Sequence, residues 1–518
     1  MARSTIAPCT YDIAIIGCGP TGALLANMLG QAGLHVVLLE RQAGLNQLPR
    51  AVHIDGETVR ILQSVDLADA MAKVSRPSVA GTKFVNPAGQ TLMFRPGTKE
   101  NGPHGWPAHS HFHQPNLETV LRQGLARFQS VELLSGHEVV GIEETADAAL
   151  VHARELANGR TWSCGARYVV GADGARSLVR QQIGGEMEDL QLHQPWLVVD
   201  VLMDPESERA QAMPEYSVQL CDPVRPMSII RVEGNRRRWE IMVMPGDDPD
   251  RMADPAHLWP MLAPWIGPND ATIERSAVYT FHALIASPWR RGTLLLAGDS
   301  CHQTPPFLGQ GLCAGMRDAA NLAWKLAMVL KGGAAPGLLD TYETERSPHV
   351  AAFIKLAAEL GGVLQTTDPM LAAERDARMT AGEAIVIRIP EPSLGPGVWI
   401  SGAPANGRIF PQPRLADGRL MDQVSRRRFA MVCKPALLES AYRLARDIEQ
   451  ELELVVIAAD SPGILQALEA SGAAAVLLRP DGYVFASANA AADIAGLSHQ
   501  LPALLHLKGD RAGMEKRA

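Results

Sequence analysis

The stretch YDIAIIGCGPTGALLANMLGQAGLHVVLLE, residues 11–40, constrains the fold more than any other part of the chain. Its apolar run over 11–16 reads as a buried strand, the Ala- and Leu-rich 20–32 as a helix, and 35–39 as a second strand. Gly17, Gly19 and Gly22 fall at the first turn. A lone G-x-G-x-x-G is weak evidence, because glycine turns are common. Here it follows a strand, opens a helix, and is followed by Glu40 at the end of the next strand, 18 residues after Gly22. That context is a βαβ dinucleotide-binding unit. Bare backbone lets a pyrophosphate sit on the helix N-terminus, where free N–H groups and the helix dipole favour anions. Glu40 can accept from a ribose 2′-hydroxyl and would repel a 2′-phosphate, so the dinucleotide expected here is FAD or NAD rather than NADP.

At 518 residues the chain is too long for one core and suggests two to four domains. A formal charge of −8 argues against a nucleic-acid or anionic-membrane partner. The basic runs at 236–238 and 426–428 have no interleaved aromatics and read as solvated turns. Seven cysteines, at 9, 18, 164, 221, 301, 313 and 433, are scattered without metal-ligand spacing, which is reduced, intracellular usage. With no leader pattern and no apolar run of ~20 residues, a soluble cytoplasmic protein is the expectation.

Further along, "PRAVHIDGETVRILQSVDLADAM" reads as a loop and a helix capped by Asp55, with Arg50 close enough to the first unit to reach phosphate or the middle of the cofactor. His109, His111 and His113 alternate, so a strand would put them on one face. No carboxylate or cysteine completes a metal set, so no metal is expected there, and a strand end or pocket lining is preferred. "ARYVVGADGARSLVR" is a buried strand ending at Gly171, Ala172, Asp173 and Gly174, followed by a helix. Residues 190–290 alternate in short strands of antiparallel-sheet composition. "TLLLAGD" is another buried strand and 312–331 a long helix. Residues 370–410 are rich in Pro and Gly without periodicity and read as a linker. Beyond it, strand and helix patterns give a small βαβαββα unit.

Three motifs stand in order: GCGPTG (17–22), GADGARSLVR (171–180) and AGDSCHQTPPFLGQGLCAGMRDAANLAWKL (297–326). Together they resemble the single-component FAD-dependent aromatic hydroxylases, the class of the p-hydroxybenzoate and phenol hydroxylases. "CDPVRP" and "EIMVMPG" bring the 3-(3-hydroxyphenyl)propionate hydroxylase branch nearest. The resemblance implies a Rossmann-type α/β FAD-binding domain with an inserted antiparallel-sheet substrate domain and a C-terminal thioredoxin-like domain. The monooxygenase region is expected over 1–395, with FAD-binding parts about 1–75, 108–188 and 290–345 and the substrate sheet about 76–107 and 189–289. The thioredoxin-like domain is expected over 408–518.

The same resemblance implies residue roles. Asp299 holds the ribityl chain of FAD, and Asp173 serves its pyrophosphate and ribose region. Pro305 and Pro306 make a stiff corner beside the flavin ring, since proline fixes φ and adds no donor. Gly309, Gln310 and Gly311 open the long helix, whose dipole faces the flavin N1–C2=O edge. Pro20, Thr21, Arg41, Gln114, Gly298 and Leu312 join the cofactor set. His302 is assigned either packing behind the site or a proton role. Met242, Met244 and Phe281 suit a dry substrate pocket but equally an ordinary core. Arg225 or one of the three histidines could meet a substrate carboxylate.

The implied reaction is hydroxylation of a phenol with NAD(P)H and O2. A flavin C4a-hydroperoxide is attacked by the activated ring, and the favoured outcome is ortho-hydroxylation of 3-(3-hydroxyphenyl)propionate or a related phenol. No second G-x-G-x-x-G opens a βαβ unit, so NADH or NADPH binds transiently. Alternatives are a polycyclic or heteroaromatic substrate, or a flavin reductase that inserts no oxygen. At the C-terminal domain Cys433 lacks the second sulfur of a Cys-x-x-Cys pair, so dithiol exchange is not expected. Packing or oligomer contacts are, and a homodimer stays open.

Overall fold

Ile13, Ala14, Ile15 and Ile16 are buried, as are Val36 to Leu39 on the neighbouring strand, so both strands are apolar on both faces. Such strands are stable only in the middle of a parallel sheet covered on both sides. The computed structural model, which describes residues 11–45, 51–145, 147–382 and 392–508, places them there. Five parallel strands run Leu294–Leu296, Thr161–Gly171, Tyr11–Ile16, Val36–Glu40 and Val131–Ser135 across the sheet. The order reverses direction at Tyr11–Ile16, and ligands sit at the carboxyl ends of strands beside such a reversal.

A second, eight-stranded sheet holds Thr82–Val85, Thr91–Arg95 and the strands between 186 and 303. It is antiparallel except where Ser217–Leu220 runs alongside Thr82–Val85. Its spine is longer than the short alternating runs suggest: Glu186–Met203 pairs with Ala271–Ser287 over nearly their whole length. The register shifts at Asp189/His193 and Asp200/Val201, where the ladder is locally interrupted.

The segment read as a linker contains a helix, Pro369–Thr380, whose N-cap Asp368 accepts from the amides of Met370 (2.8 Å) and Leu371 (3.0 Å). That corrects the linker reading at its N-terminal end. Beyond it, Phe429–Cys433, Leu454–Ala458, Ala475–Leu478 and Val484–Ala488 form a four-stranded sheet, parallel at one junction and antiparallel at the other two. Its element order is the expected βαβαββα. Cys433 is buried, and burial pushes its thiol up to about 11.

This C-terminal unit is fastened by buried charge. Arg479 donates to both oxygens of Glu345 (2.8 and 2.9 Å) and to Asp481 (2.6 Å). Lys325 and Asn321, on the helix Gly311–Leu330, each donate to the same Glu345 at 2.8 Å. The side chains of Arg479, Glu345 and Lys325 are 0% exposed, so no water can replace a missing partner. Arg479→Ala leaves Glu345 short of its bidentate partner, at a cost of about 3–5 kcal/mol. The variant is expected to unfold at a lower temperature than wild type and to be cut faster by protease near residue 400. An unchanged melting curve would refute this account of the junction.

Candidate active site

A cavity of about 1670 Å³ opens between the two sheets. Ligand pockets for one small molecule span roughly 300–1,000 Å³, so this space is large enough for a dinucleotide and an aromatic compound together. Its lining includes Arg41, Asp173, Gly174, Arg176 and Asp299, then Pro306, Gly309, Gly311 and Leu312, and also Phe84, Arg95, Glu240, Tyr279 and Phe281.

The lining around Pro306 and Gly309 is shaped by backbone constraint. Pro305 (φ −57°, ψ 147°) caps a single 3-10 turn, Pro306–Leu308, that ends at Gly309 with φ +65°. A Cβ at Gly309 would come within 2.9 Å of the His53 ring, so glycine is required twice over. The long helix Gly311–Leu330 starts immediately after, and a Cβ at Gly311 would meet only Thr304 at 3.8 Å. The helix entrance is therefore open towards the cavity.

At the first turn, a Cβ on Gly22 would lie 2.1 Å from the Gly17 carbonyl, whereas one on Gly19 would meet nothing within 4 Å. Gly22 serves packing; Gly19 keeps space clear at a helix N-terminus. Glu40 accepts from the Cys18 amide at 2.8 Å and so braces this turn. Asp173 accepts from the Leu178 amide at 2.7 Å, while its Oδ1 is buried with no partner, and burial raises its carboxyl above the usual range. An orphaned acceptor, a cleared helix N-terminus and the cavity volume together fit a bound FAD.

Several expected site residues lie elsewhere. Gln310 is buried, its Oε1 accepting from Arg317 at 3.0 Å, so its side chain does not reach the cavity. His302 is 1% exposed, is bonded to Asp318 at 2.6 Å and does not line the cavity. Cys301, His302 and Asp318 have ligand atoms within 4.8 Å of one another, but Arg346 and the Gly298 amide already bond to Asp318. Pro305 and Pro20 do not line the cavity, and Thr21 packs against Gly298 and Gly315. Gln114 accepts from the Ala51 amide at 2.9 Å and donates to Glu118. Met242 and Met244 pack with Trp196 and Cys221 rather than on the cavity surface. Arg225 is paired with Asp247 at 2.7 Å and donates to the Met242 carbonyl. Of the four expected substrate residues only Phe281 lines the space. Arg50 lies outside the described residues.

Three features are not evident from the sequence alone. Asp55 caps its helix as expected, accepting from Thr58 at 2.8 Å, but it also receives Arg317 at 2.6 Å. Arg95 lines the cavity with no carboxylate partner among the described residues, and burial holds its guanidinium below the usual range. The third is His53. The strand His53–Asp55 pairs with His109–Phe112 so that His53 faces His111 and Asp55 faces His109. His53 Nε2 lies 3.0 Å from His109 Nδ1, and all three histidines line the cavity, whereas His113 is the N-cap of the next helix. Burial, then neighbouring positive charge, lowers His53, His109 and His111 to about 4. Only a polar alternation in "HIDGE" hinted at His53; its partners come from a strand more than fifty residues away.

The chain matches the family model described as "FAD binding domain" over residues 10–357. It is 36% identical over 517 residues to a probable NADH-specific resorcinol 4-hydroxylase of Rhodococcus jostii, covering 95% of this chain and 94% of that protein. It is 36% identical over 442 residues to a 3-(3-hydroxy-phenyl)propionate/3-hydroxycinnamic acid hydroxylase of Burkholderia cenocepacia, covering 82% and 80%. Among solved structures, the flavin-dependent monooxygenase PieE in complex with FAD and substrate matches with a TM-score of 0.79 at 23% identity, covering 96% of this chain and 99% of that one. Aklavinone-11 hydroxylase with FAD and aklavinone matches at 0.80 and 21%, covering 96% and 100%. At those identities the structures establish the fold.

The three depressed histidines set a pH window. An unfolded chain protonates histidine near pH 6.5, whereas the folded chain resists until about 4. Between the two the unfolded state binds more protons, so this contribution to stability is whole above about pH 6.5 and is lost as pH falls towards about 4. The denaturation midpoint should drop across that window, and His111→Asn should flatten the drop. A midpoint constant over the window would contradict the buried, neutral state of these rings.

Proposed function

The chain belongs to the FAD binding domain family and is a FAD-dependent aromatic monooxygenase, and from that premise we propose that it hydroxylates a phenol carrying a second substituent in the meta position. Resorcinol and 3-(3-hydroxyphenyl)propionate, the compounds named for its relatives, share that pattern. The observation that carries the reading is the continuity of the cavity, from Asp173 and Asp299 past the open helix entrance at Gly311 to the aromatic wall of Phe84, Tyr279 and Phe281. FAD, when bound, supplies the oxygen chemistry. The protein's part is to hold the cofactor, orient the ring and exclude water.

In this reading Asp299 holds the ribityl chain, Gly19 and the first helix take the pyrophosphate, and Asp173 Oδ1 accepts from a cofactor hydroxyl. The N-terminus of Gly311–Leu330 faces the ring edge that carries negative charge on reduction. The apolar wall lets a flat ring lie against it while Glu240 and Arg95 supply polar contacts. Glu240 is 7% exposed, and burial raises its carboxyl above the usual range, which suits it to share a proton with a hydroxyl. We assign NADH as the transient reductant, on the strength of the Rhodococcus relative's name. The mixed C-terminal sheet supports reading that unit as a thioredoxin-like appendage with a packing role.

The test pairs each free phenol with its methyl ether under air, following NADH oxidation, product mass and hydrogen peroxide. A ring gives electrons to oxygen far more readily when its hydroxyl can lose a proton. The phenols should be hydroxylated, and the ethers should stimulate NADH oxidation but return hydrogen peroxide. Equal hydroxylation of phenol and ether would overturn the reading.

A further inference from the structure

Resting on the phenol-hydroxylase reading, we propose that His109 and His53 form a coupled proton acceptor for the substrate hydroxyl, with His109 Nε2 as the contact atom. A backbone carbonyl fixes the first tautomer. His53 Nδ1 lies 3.2 Å from the Gly309 carbonyl oxygen, which can only accept, so Nδ1 carries the proton. A neutral His53 then has a lone pair at Nε2, and His109 Nδ1 lies 3.0 Å away, so it must donate. That fixes the second tautomer: His109 keeps its own lone pair at Nε2. No hydrogen bond to this atom occurs among the described residues, and His109 lines the cavity. One carbonyl, at the glycine that precedes the helix entrance, thus turns two rings into an ordered chain that ends in an acceptor.

The groups facing the pair are known. His53 faces His111, Asp55 and Arg95; His109 faces His53, Arg95 and Asp55; and His111 in turn faces His109, Arg76 and Arg231. Both rings are held near 4 and are therefore neutral at pH 7. A base this weak does not strip a resting phenol, whose pKa is about 10. It does suffice while the ring is giving electrons to oxygen, because the phenolic oxygen is then becoming a protonated carbonyl and is strongly acidic. The pair is matched to the reacting state rather than to the bound substrate.

The step balances as a proton relay. The substrate O–H bond breaks and an Nε2–H bond forms on His109. The Nδ1 proton of His109 passes to His53 Nε2. The positive charge rests on His53, between the Gly309 carbonyl and the nearby Asp55 carboxylate. When the ring loses the hydrogen from its hydroxylated carbon to solvent and regains aromaticity, the carbonyl oxygen takes a proton back from His109 and the pair returns to neutral.

Coupling, the hydroxylated product formed per NADH consumed, reads the relay, because NADH oxidation does not need it. Resorcinol, 3-(3-hydroxyphenyl)propionate and their ring-fluorinated, more acidic analogues are the probes, with wild-type holoenzyme and the His109→Gln and His53→Gln variants. Wild-type hydroxylation should be level with pH above about 5. His109→Gln should hydroxylate roughly a hundredfold more slowly at pH 7, gain about tenfold per pH unit up to the substrate's own pKa, and be rescued at lower pH by the fluorinated phenols. His53→Gln should show the same slope with a smaller loss. A loss equal at every pH, without rescue by acidic phenols, would mean a structural role and overturn the proposal. Wild type that hydroxylates no phenol would instead overturn the reading beneath it. Nitrogen-15 NMR of histidine-labelled wild-type protein tests the tautomers without relying on turnover or on variant folding: both rings should carry Nδ1–H. An Nε2–H tautomer at His109 would sink the relay.

Discussion

Arg317 is 5% exposed and bonds at once to Asp55 (2.6 Å), Glu57 (2.7 Å) and Gln310 (3.0 Å). The next residue, Asp318, is fully buried and receives His302, Arg346 and the Gly298 amide. Two turns further on, Lys325 bonds to Glu345. Charges this deep must be partnered, so every segment that supplies a partner is held in register with the helix Gly311–Leu330. Those segments carry the site: His53–Asp55 brings His53 and pairs with the strand that holds His109, and Gly298–Ser300 brings Asp299. Nearby cations hold Asp318 and Glu345 to about 2 despite their burial, so both carboxylates stay ionised throughout the neutral range. The cavity is positioned by ion pairs that never touch it.

This explains why the third motif is both long and charged. Pro306, Gly309 and Gly311 line the cavity, Gly298 and Gly315 pack against Thr21, and Arg317, Asp318 and Lys325 in "GMRDAANLAWKL" are structural. The same helix meets the C-terminal unit through Trp324, whose indole donates to Asp481 and whose ring packs edge-on to Phe429. Loss of that unit would therefore be felt at the helix whose entrance lies at the centre of the site. Among the described residues, no helix is long and apolar enough to cross a membrane.

Much of this was legible in the chain. The first βαβ unit, the Asp55 cap, the long helix and the final βαβαββα order follow from periodicity and turn chemistry. Met242 shows where legibility ends. Alternation puts it on the same face as Glu240, two residues earlier, and Glu240 does line the cavity. Met242 instead packs in the same cluster as Phe84, Leu92 and Met379, which do line it. Alternation specifies a face but not a depth, because the covering residues come from distant strands. The helix at 369–380 was hidden differently: Asp368-Pro369 is a sound helix-start signal, but the surrounding Pro/Gly composition outweighed it. His53 needed a strand pairing that no local pattern encodes.

The proposed reading depends on one cavity that would hold FAD against an open helix entrance, and FAD content tests that claim most directly. The purified chain should be yellow, with FAD bound non-covalently and close to stoichiometric. Gly19→Val, whose added side chain meets no protein atom near its Cβ, should fold normally yet lose most of the cofactor. Asp299→Ala should bind it roughly ten- to a hundredfold more weakly, the worth of about 1.5–3 kcal/mol for a charge-assisted hydrogen bond. A colourless wild-type protein that cannot be reconstituted with FAD, or a Gly19→Val variant that retains it fully, would contradict this reading of the cavity.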